Sequence, residues 1–220
     1  MNVLVIAPHA DDEILGVGAT MAKHIDNGDK VFICVATRGV KPLFEDAFME
    51  NLRNETISAH KLLGATETFF LEFPSVMLEQ IHRHEINSRI SDIVQKIKPD
   101  IVYLPHFGDM QKDHQIIAEA SMVAVRPKYP HSIKEVYSYE TLSETEWNNP
   151  HSSNAFMPNA YNDISEYIDK KLQIMKCFKS QLSNFPNPRS LEAIEALAKY
   201  RGSTINAEAA EAFMLIRKIS

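Results

Sequence analysis

The chain opens on a wholly apolar run, Val3 to Ala7, which reads as a buried strand. From Asp12 to Asn27, Ile14, Leu15, Val17, Met21, Ala22 and Ile25 recur at helical spacing, and Gly28 is suited to close that helix. A second apolar strand spans Val31 to Ala36. A helical pattern from Ala47 to Leu63 stops at Gly64, and Thr68 to Leu71 forms a third strand ended by Pro74. Leu78 to Ile97 reads as one long amphipathic helix with Ile81, Ile86, Ile90, Ile93, Val94 and Ile97 as its stripe, stopped by Pro99. Ile101 to Leu104 is a fourth strand, Asp113 to Val125 its helix, and Val136 to Tyr139 a further strand. Residues 143–162 lose periodicity and read as an ordered surface loop. Beyond them, 165–180, 191–200 and 207–216 read as helices.

Apolar strands alternating with amphipathic helices predict a parallel sheet covered on both faces. The expected fold class is α/β, a Rossmann-like three-layer α/β/α arrangement with a mostly parallel sheet, in one domain over residues 1–220. Right-handed crossovers place every strand-to-helix loop at one edge of that sheet, where open α/β sheets bind ligands. Gly16 and Gly18 form a GxG inside the first helix. They do not directly follow the strand, as a dinucleotide fingerprint requires, so close helix–sheet contact is the better account.

Composition narrows the function. Lysine and arginine number 23 against 29 acidic residues, a net charge of −6. A nucleic-acid backbone binder needs a basic excess, so that class is set aside. No apolar run has transmembrane length, and membrane insertion is not expected. The first residues reach Asp11 with no basic stretch or small-residue cleavage site, which is unlike a signal peptide. Cys34 and Cys177 form no CxxC pair and read as reduced thiols. A cytoplasmic protein is expected.

The candidate chemistry sits after the first and fourth strands. Ala7-Pro8-His9-Ala10-Asp11-Asp12-Glu13 sets an imidazole and three carboxylates at the end of a buried strand. Such a cluster is costly unless its charges face solvent, pair, or bind a cation. His9 and Asp12 flank a tight turn and can converge on a metal. The alternative is that Asp11 or Asp12 caps the helix and His9 is a surface residue. His106-Phe107-Gly108-Asp109-Met110-Gln111-Lys112-Asp113-His114 falls on the same sheet edge. His114 is expected in the first turn of the next helix, with Asp113 either its cap or a partner that orients a ligand histidine. Mixed nitrogen and oxygen donors on an open face fit catalytic zinc, one ion per chain, and suit iron(II) or manganese as well.

These segments carry a resemblance. APHADDE resembles the PHPDDE signature of the PIG-L/LmbE-like zinc N-deacetylases. Arg53-Asn54-Glu55, Ala59 and Leu63-Gly64 resemble that family's R-x-E…A…LG helix, and Gly108-Asp109 with Asp113-His114 its second metal segment. Tyr139-Glu140, Phe156-x-Pro158, Lys171, Ser180-Gln181, Arg201-Gly202 and Ala210-Glu211-Ala212-Phe213 resemble the tail of a bacterial branch. The resemblance implies hydrolysis of an N-acyl, typically N-acetyl, amide on an amino sugar or sugar conjugate, a small-molecule partner. It implies His9, Asp12 and His114 as zinc ligands, Asp11 as the general base that activates water, and Arg53 as a substrate contact. Closed homo-oligomers are common among such enzymes.

Two positions depart from the family pattern. Ala10 replaces a proline, which changes turn stiffness and removes no ligand. Gln111 stands where many relatives have a histidine. An amide donates one hydrogen bond but is no acid near neutral pH. Asp11 then performs both proton transfers, or His106, the nearest histidine in sequence, enters. Failing both, the enzyme is slow or specialised for a different acyl compound; a rival reading is a non-catalytic metal- or sugar-binding protein on the same scaffold. A nucleotide or phosphoryl-transfer enzyme is disfavoured by the absence of a P-loop. Trp147 is a candidate for stacking on a sugar ring or for anchoring its loop. His24, His60, His82, His84, His131 and His151 read as ordinary polar residues; His82 and His84, two apart on a helix, share no face.

Overall fold

The computed structural model describes residues 1–128 and 133–220. His131 lies outside them. Among the described residues the elements run β1 (Asn2–Ala7), α1 (Asp12–Asp26), β2 (Lys30–Arg38), α2 (Asp46–Leu63), β3 (Glu67–Pro74), α3 (Arg83–Ile97), β4 (Ile101–Pro105), α4 (Lys112–Ala124), β5 (Glu135–Tyr139), β6 (Ala160–Asp163), α5 (Ile168–Met175), α6 (Leu191–Ser203) and β7 (Ala210–Lys218). The seven strands form one sheet in the order β3-β2-β1-β4-β5-β7-β6. β1 to β5 pair in parallel, and β7 pairs antiparallel with β5 and β6. The α/β, mostly parallel architecture is the expected one.

Strand alternation divides the core between the two faces. Val3 and Val5 of β1 face one layer with Ile14, Val17 and Met21 of α1, Leu63 of α2 and Ile174 of α5. Leu4 and Ile6 face the other, with Ile86, Ile90 and Ile93 of α3 and Ile117 of α4. Both faces are covered, which is why β1 and β4 are uninterrupted apolar runs. Strand order reverses at β1, whose neighbours are β2 and β4. The helices that follow β1 and β4 therefore leave on opposite faces, and a crevice opens between the C-terminal ends of these strands.

Gly16 is where α1 meets the sheet. A Cβ there would lie 2.2 Å from the Tyr139 ring, whose hydroxyl donates to Ile6 O at 2.9 Å. Beyond it, Lys171 Nζ donates to Leu15 O at 2.7 Å and to Glu211 Oε1 at 2.6 Å. Glu211 in turn accepts from the backbone N–H groups of Ala19 and Thr20. This buried ion pair reaches into the hydrogen-bond ladder of α1 and ties α5 and β7 to it.

Three elements differ from the sequence reading. Residues 207–216 are not a helix: Ala210–Lys218 is strand β7, despite its alanine, glutamate, methionine and leucine content. Pairing with β5 and β6, and packing of Phe213 on Tyr103 and Tyr137, override helix propensity. The 143–162 loop ends in strand β6, which needs β7 as its partner. The long helix from Leu78 is two pieces, a single 3₁₀ turn Leu78–Gln80 and then α3, because Ile81 and His82 adopt extended geometry. His82 therefore precedes the helix, and the extended backbone there lets its ring stack on His84 at 5.7 Å. Both cysteines are free, Cys34 buried and Cys177 partly so.

The Gly16 contact yields a direct expectation. Gly16→Ala improves helix propensity yet drives a methyl group into Tyr139, and overpacking of this kind costs about 1–3 kcal/mol. Urea denaturation should show reduced stability; a neutral or stabilised variant would contradict the packing described.

Candidate metal centre and cleft

The four residues from Pro8 to Asp11 turn the chain from β1 into α1. Pro8 O accepts from both the N–H and the hydroxyl of Thr37, fastening the turn to β2. Asp11 closes it at φ 108°, a left-handed conformation unfavourable for any residue but glycine. Its side chain makes no cap bond, so the capping alternative for Asp11 does not hold. Asp12 is also no cap: its Oδ2 accepts from His9 N at 2.8 Å, across the turn. Glu13 is buried and bridges Asp11 N to His60 Nε2, the latter at 2.8 Å, while His60 Nδ1 meets Thr68 Oγ1. His60 is thus a strut beneath the turn.

The second segment meets the first across the switch point. His9, Asp12 and His114 each offer one donor atom, all within 4.8 Å of one another, and this is the group among the described residues that could hold a metal ion. Each imidazole is held by a carboxylate. His114 Nδ1 lies 2.8 Å from Asp109 Oδ2, and Asp109 Oδ1 accepts from Thr145 Oγ1 at 2.6 Å. His9 Nε2 lies 3.0 Å from Asp113 Oδ2, which also accepts from Val76 N at 2.6 Å. With those nitrogens engaged, His114 Nε2 and His9 Nδ1 face Asp12 Oδ2 at 3.2 and 3.4 Å. His114 Nε2, Asp12 Oδ1 and Asp11 Oδ1 are buried without a hydrogen-bond partner. Lone pairs oriented by carboxylates and left unsatisfied in a buried site suit a divalent cation.

The electrostatics agree. Burial opposes the imidazolium of His114, yet Asp12 and Asp109 hold its pKa well above the usual histidine value. Burial likewise raises the Asp12 carboxyl, but His114 and His9 bring it well below the usual range. Protons and metal compete for these same lone pairs. Burial pushes Asp11 up to about 8 against the pull of Arg189. Arg189 Nη1 donates to Asp11 Oδ2 at 2.9 Å, and its Nε donates to Ser143 Oγ at 2.8 Å.

His9, Asp11, Gln111, Arg53 and Arg189 line one open cavity of about 200 Å³. Arg53 donates to Glu72 and lies over the Phe70 ring at 3.5 Å. Gln111 precedes α4, its N–H donating to Glu144 Oε2 and its Oε1 buried without a partner. Two expected contacts are not brought to this cavity. His106 is buried against Phe107 and Phe156, its Nε2 2.9 Å from Asn154 O. It is not among the residues that line the cavity. Trp147 is 53% exposed and lines no part of the cleft. Asp113 is a partner of His9, not a helix cap. His24 bonds Asp29 and Tyr103, and His151 bonds Ser153 and lines a separate cavity near Phe156.

Fold and site together define a class. Residues 4–125 match the family model described as PIG-L: GlcNAc-PI de-N-acetylase, and the chain belongs to that family. It is 30% identical over 185 residues to the uncharacterized deacetylase YaiS of Escherichia coli (strain K12), spanning 81% of this chain and 91% of that one. It is 27% identical over 203 residues to diacetylchitobiose deacetylase of Thermococcus kodakarensis, spanning 82% and 70% of the two chains. Among solved structures, the conserved protein TT1542 of Thermus thermophilus superposes with a TM-score of 0.81 at 25% identity, covering 99% of this chain and 96% of that one. Both relatives matched by sequence are thus named as deacetylases, one of them of diacetylchitobiose.

The carboxylate behind His114 is testable without any substrate. Asp109→Asn should lower zinc affinity about 10- to 100-fold in chelator competition while leaving the circular dichroism spectrum unchanged. Unaltered affinity would show that Asp109 does not orient the ligand nitrogen.

Proposed function

We propose that this protein is a metal-dependent amide hydrolase that removes an acyl group, in the simplest case acetyl, from the nitrogen of an amino sugar or sugar conjugate. The observation that carries this reading is the His9–Asp12–His114 donor set, whose Asp12 and His114 are buried and whose His9 opens, with Asp11, onto the cleft. In this reading His9, Asp12 and His114 hold a single ion, with zinc the best fit to two imidazoles, one carboxylate and an open side. Such an ion, when bound, polarises the acyl carbonyl and lowers the pKa of water.

The chain's own residues supply the rest. With a divalent cation beside it favouring the ionised form, Asp11 takes the proton from the attacking water through Oδ1, the oxygen that Arg189 leaves free. The water oxygen bonds to the acyl carbon, the C–N bond breaks, and Asp11 returns the proton to the departing nitrogen. A carboxylic acid and an amine result. Arg189 fixes the rotamer of Asp11 and offsets the cost of burying it. Gln111, at the cavity wall, offers one neutral hydrogen bond to the developing oxyanion, weaker than an imidazolium would give. With His106 held away by Asn154, Asp11 serves as both base and acid.

Two measurements test these assignments. Zinc-loaded Asp11→Asn should retain its metal and lose about 10²- to 10⁴-fold in kcat toward an N-acetylated amino sugar conjugate. Near-normal turnover would remove Asp11 from the reaction. Gln111→Ala should lose only about 5- to 30-fold in kcat/KM, the scale of one neutral hydrogen bond. A loss of several thousandfold with metal and fold intact would make Gln111 far more than an oxyanion contact. A metal-bound wild type that releases no amine from any N-acyl sugar would favour a binding protein instead.

A further inference from the structure

Part of the cleft wall is built from apolar side chains. Val35, Phe44, Phe48, Met49, Leu52 and Phe70 line it, contributed by β2, α2, β3 and the loop before α2. The wall is a constructed feature. At Gly39 a Cβ would lie 2.6 Å from the Phe44 ring and 2.7 Å from Met49 Sδ, so the missing side chain lets these two close together. Phe48 remains 40% exposed at the mouth.

Several polar groups in the same cavity also bond within the protein. The hydroxyl of Thr37 donates to Pro8 O, that of Thr56 to Leu52 O, and that of Ser75 reaches Asp113. Gln181 accepts from Arg189 and donates to Ser180 Oγ. Arg53 and Arg38 both face Glu72. Gln111 Oε1 is the neutral acceptor there that is buried without a partner. An apolar group loses nothing on this wall and gains by leaving water.

We propose that the wall is a subsite for an apolar substituent of the substrate, so that the preferred amide is an amphiphile carrying an aryl or medium-length alkyl group and not a simple N-acetylated monosaccharide. This rests on the hydrolase reading above and names the substrate class of that site. The wall and the polar turn line one cavity, so the group and the reacting amide belong to one molecule. It arrives on the amine side, as an aglycone, or on the acyl side, as a longer chain.

The test compares N-acetylglucosamine with its phenyl glycoside and with N-hexanoylglucosamine as substrates of the zinc-loaded protein. Calorimetry in parallel compares glucosamine with phenyl glucosaminide, and acetate with hexanoate, as ligands of the metal-free protein. One of the two apolar arms should exceed N-acetylglucosamine by about 10- to 100-fold in kcat/KM, chiefly through KM, with the matching ligand binding more tightly. Phe48→Ala should shrink that difference. Amine release at equal kcat/KM from all three substrates, with no difference between paired ligands, would overturn the subsite and leave the hydrolase reading standing. Tighter binding of the apolar ligands with no amine released from any substrate would establish the subsite and overturn the hydrolase reading.

Discussion

Five carboxylates, Asp11, Asp12, Glu13, Asp109 and Asp113, are each no more than 1% exposed at the edge where β1 and β4 end. Burying a carboxylate costs several kcal/mol unless positive charge or hydrogen bonds compensate it. Much of the surrounding structure serves that compensation. His60 reaches from α2 to Glu13, and Val76 N–H points at Asp113 from the loop after β3. Thr145 donates to Asp109, and Arg189 crosses from the segment between α5 and α6 to Asp11. Each satisfies one carboxylate while reserving the ligand atoms of His9, Asp12 and His114 for a common point. A site assembled from so many separate elements is positioned by the whole fold.

The same constraint connects the packing to the chemistry. The close contact at Gly16 seats the first half of α1 on the sheet, and the turn from Pro8 to Asp11 joins that helix to β1. The strained backbone at Asp11 is the local cost of aiming adjacent carboxylates in different directions, Asp12 toward the histidines and Asp11 toward the cleft. The Lys171–Glu211 pair then holds α1 to the C-terminal half of the chain.

Much of this is legible in sequence where the signal is local. Apolar runs and helical spacing identify β1 to β5 with α1, α2 and α4, and the two polar segments expose His9, Asp11, Asp12, Asp113 and His114. What is missed depends on tertiary partners. β7 has the composition of a helix and becomes a strand because β5 and β6 flank it. Arg189 lies 178 residues from Asp11, in a proline- and asparagine-rich loop with no nearby chemistry to single it out. Asp109 could have been suspected as an orienting group, being five residues before His114 in the same segment. His106 is the nearest histidine to Gln111 in sequence and Trp147 an aromatic in an irregular loop, yet neither lines the cleft.

X-ray absorption at the zinc edge addresses the central claim, that this buried anionic edge is organised around one ion. Zinc-loaded protein should contain one equivalent of metal in a shell of nitrogen and oxygen only, with two imidazoles at about 2.0–2.1 Å. His114→Ala should remove one imidazole from that shell. A sulfur ligand, or a spectrum unchanged by His114→Ala, would place the ion elsewhere and contradict the assignment of these residues as its ligands.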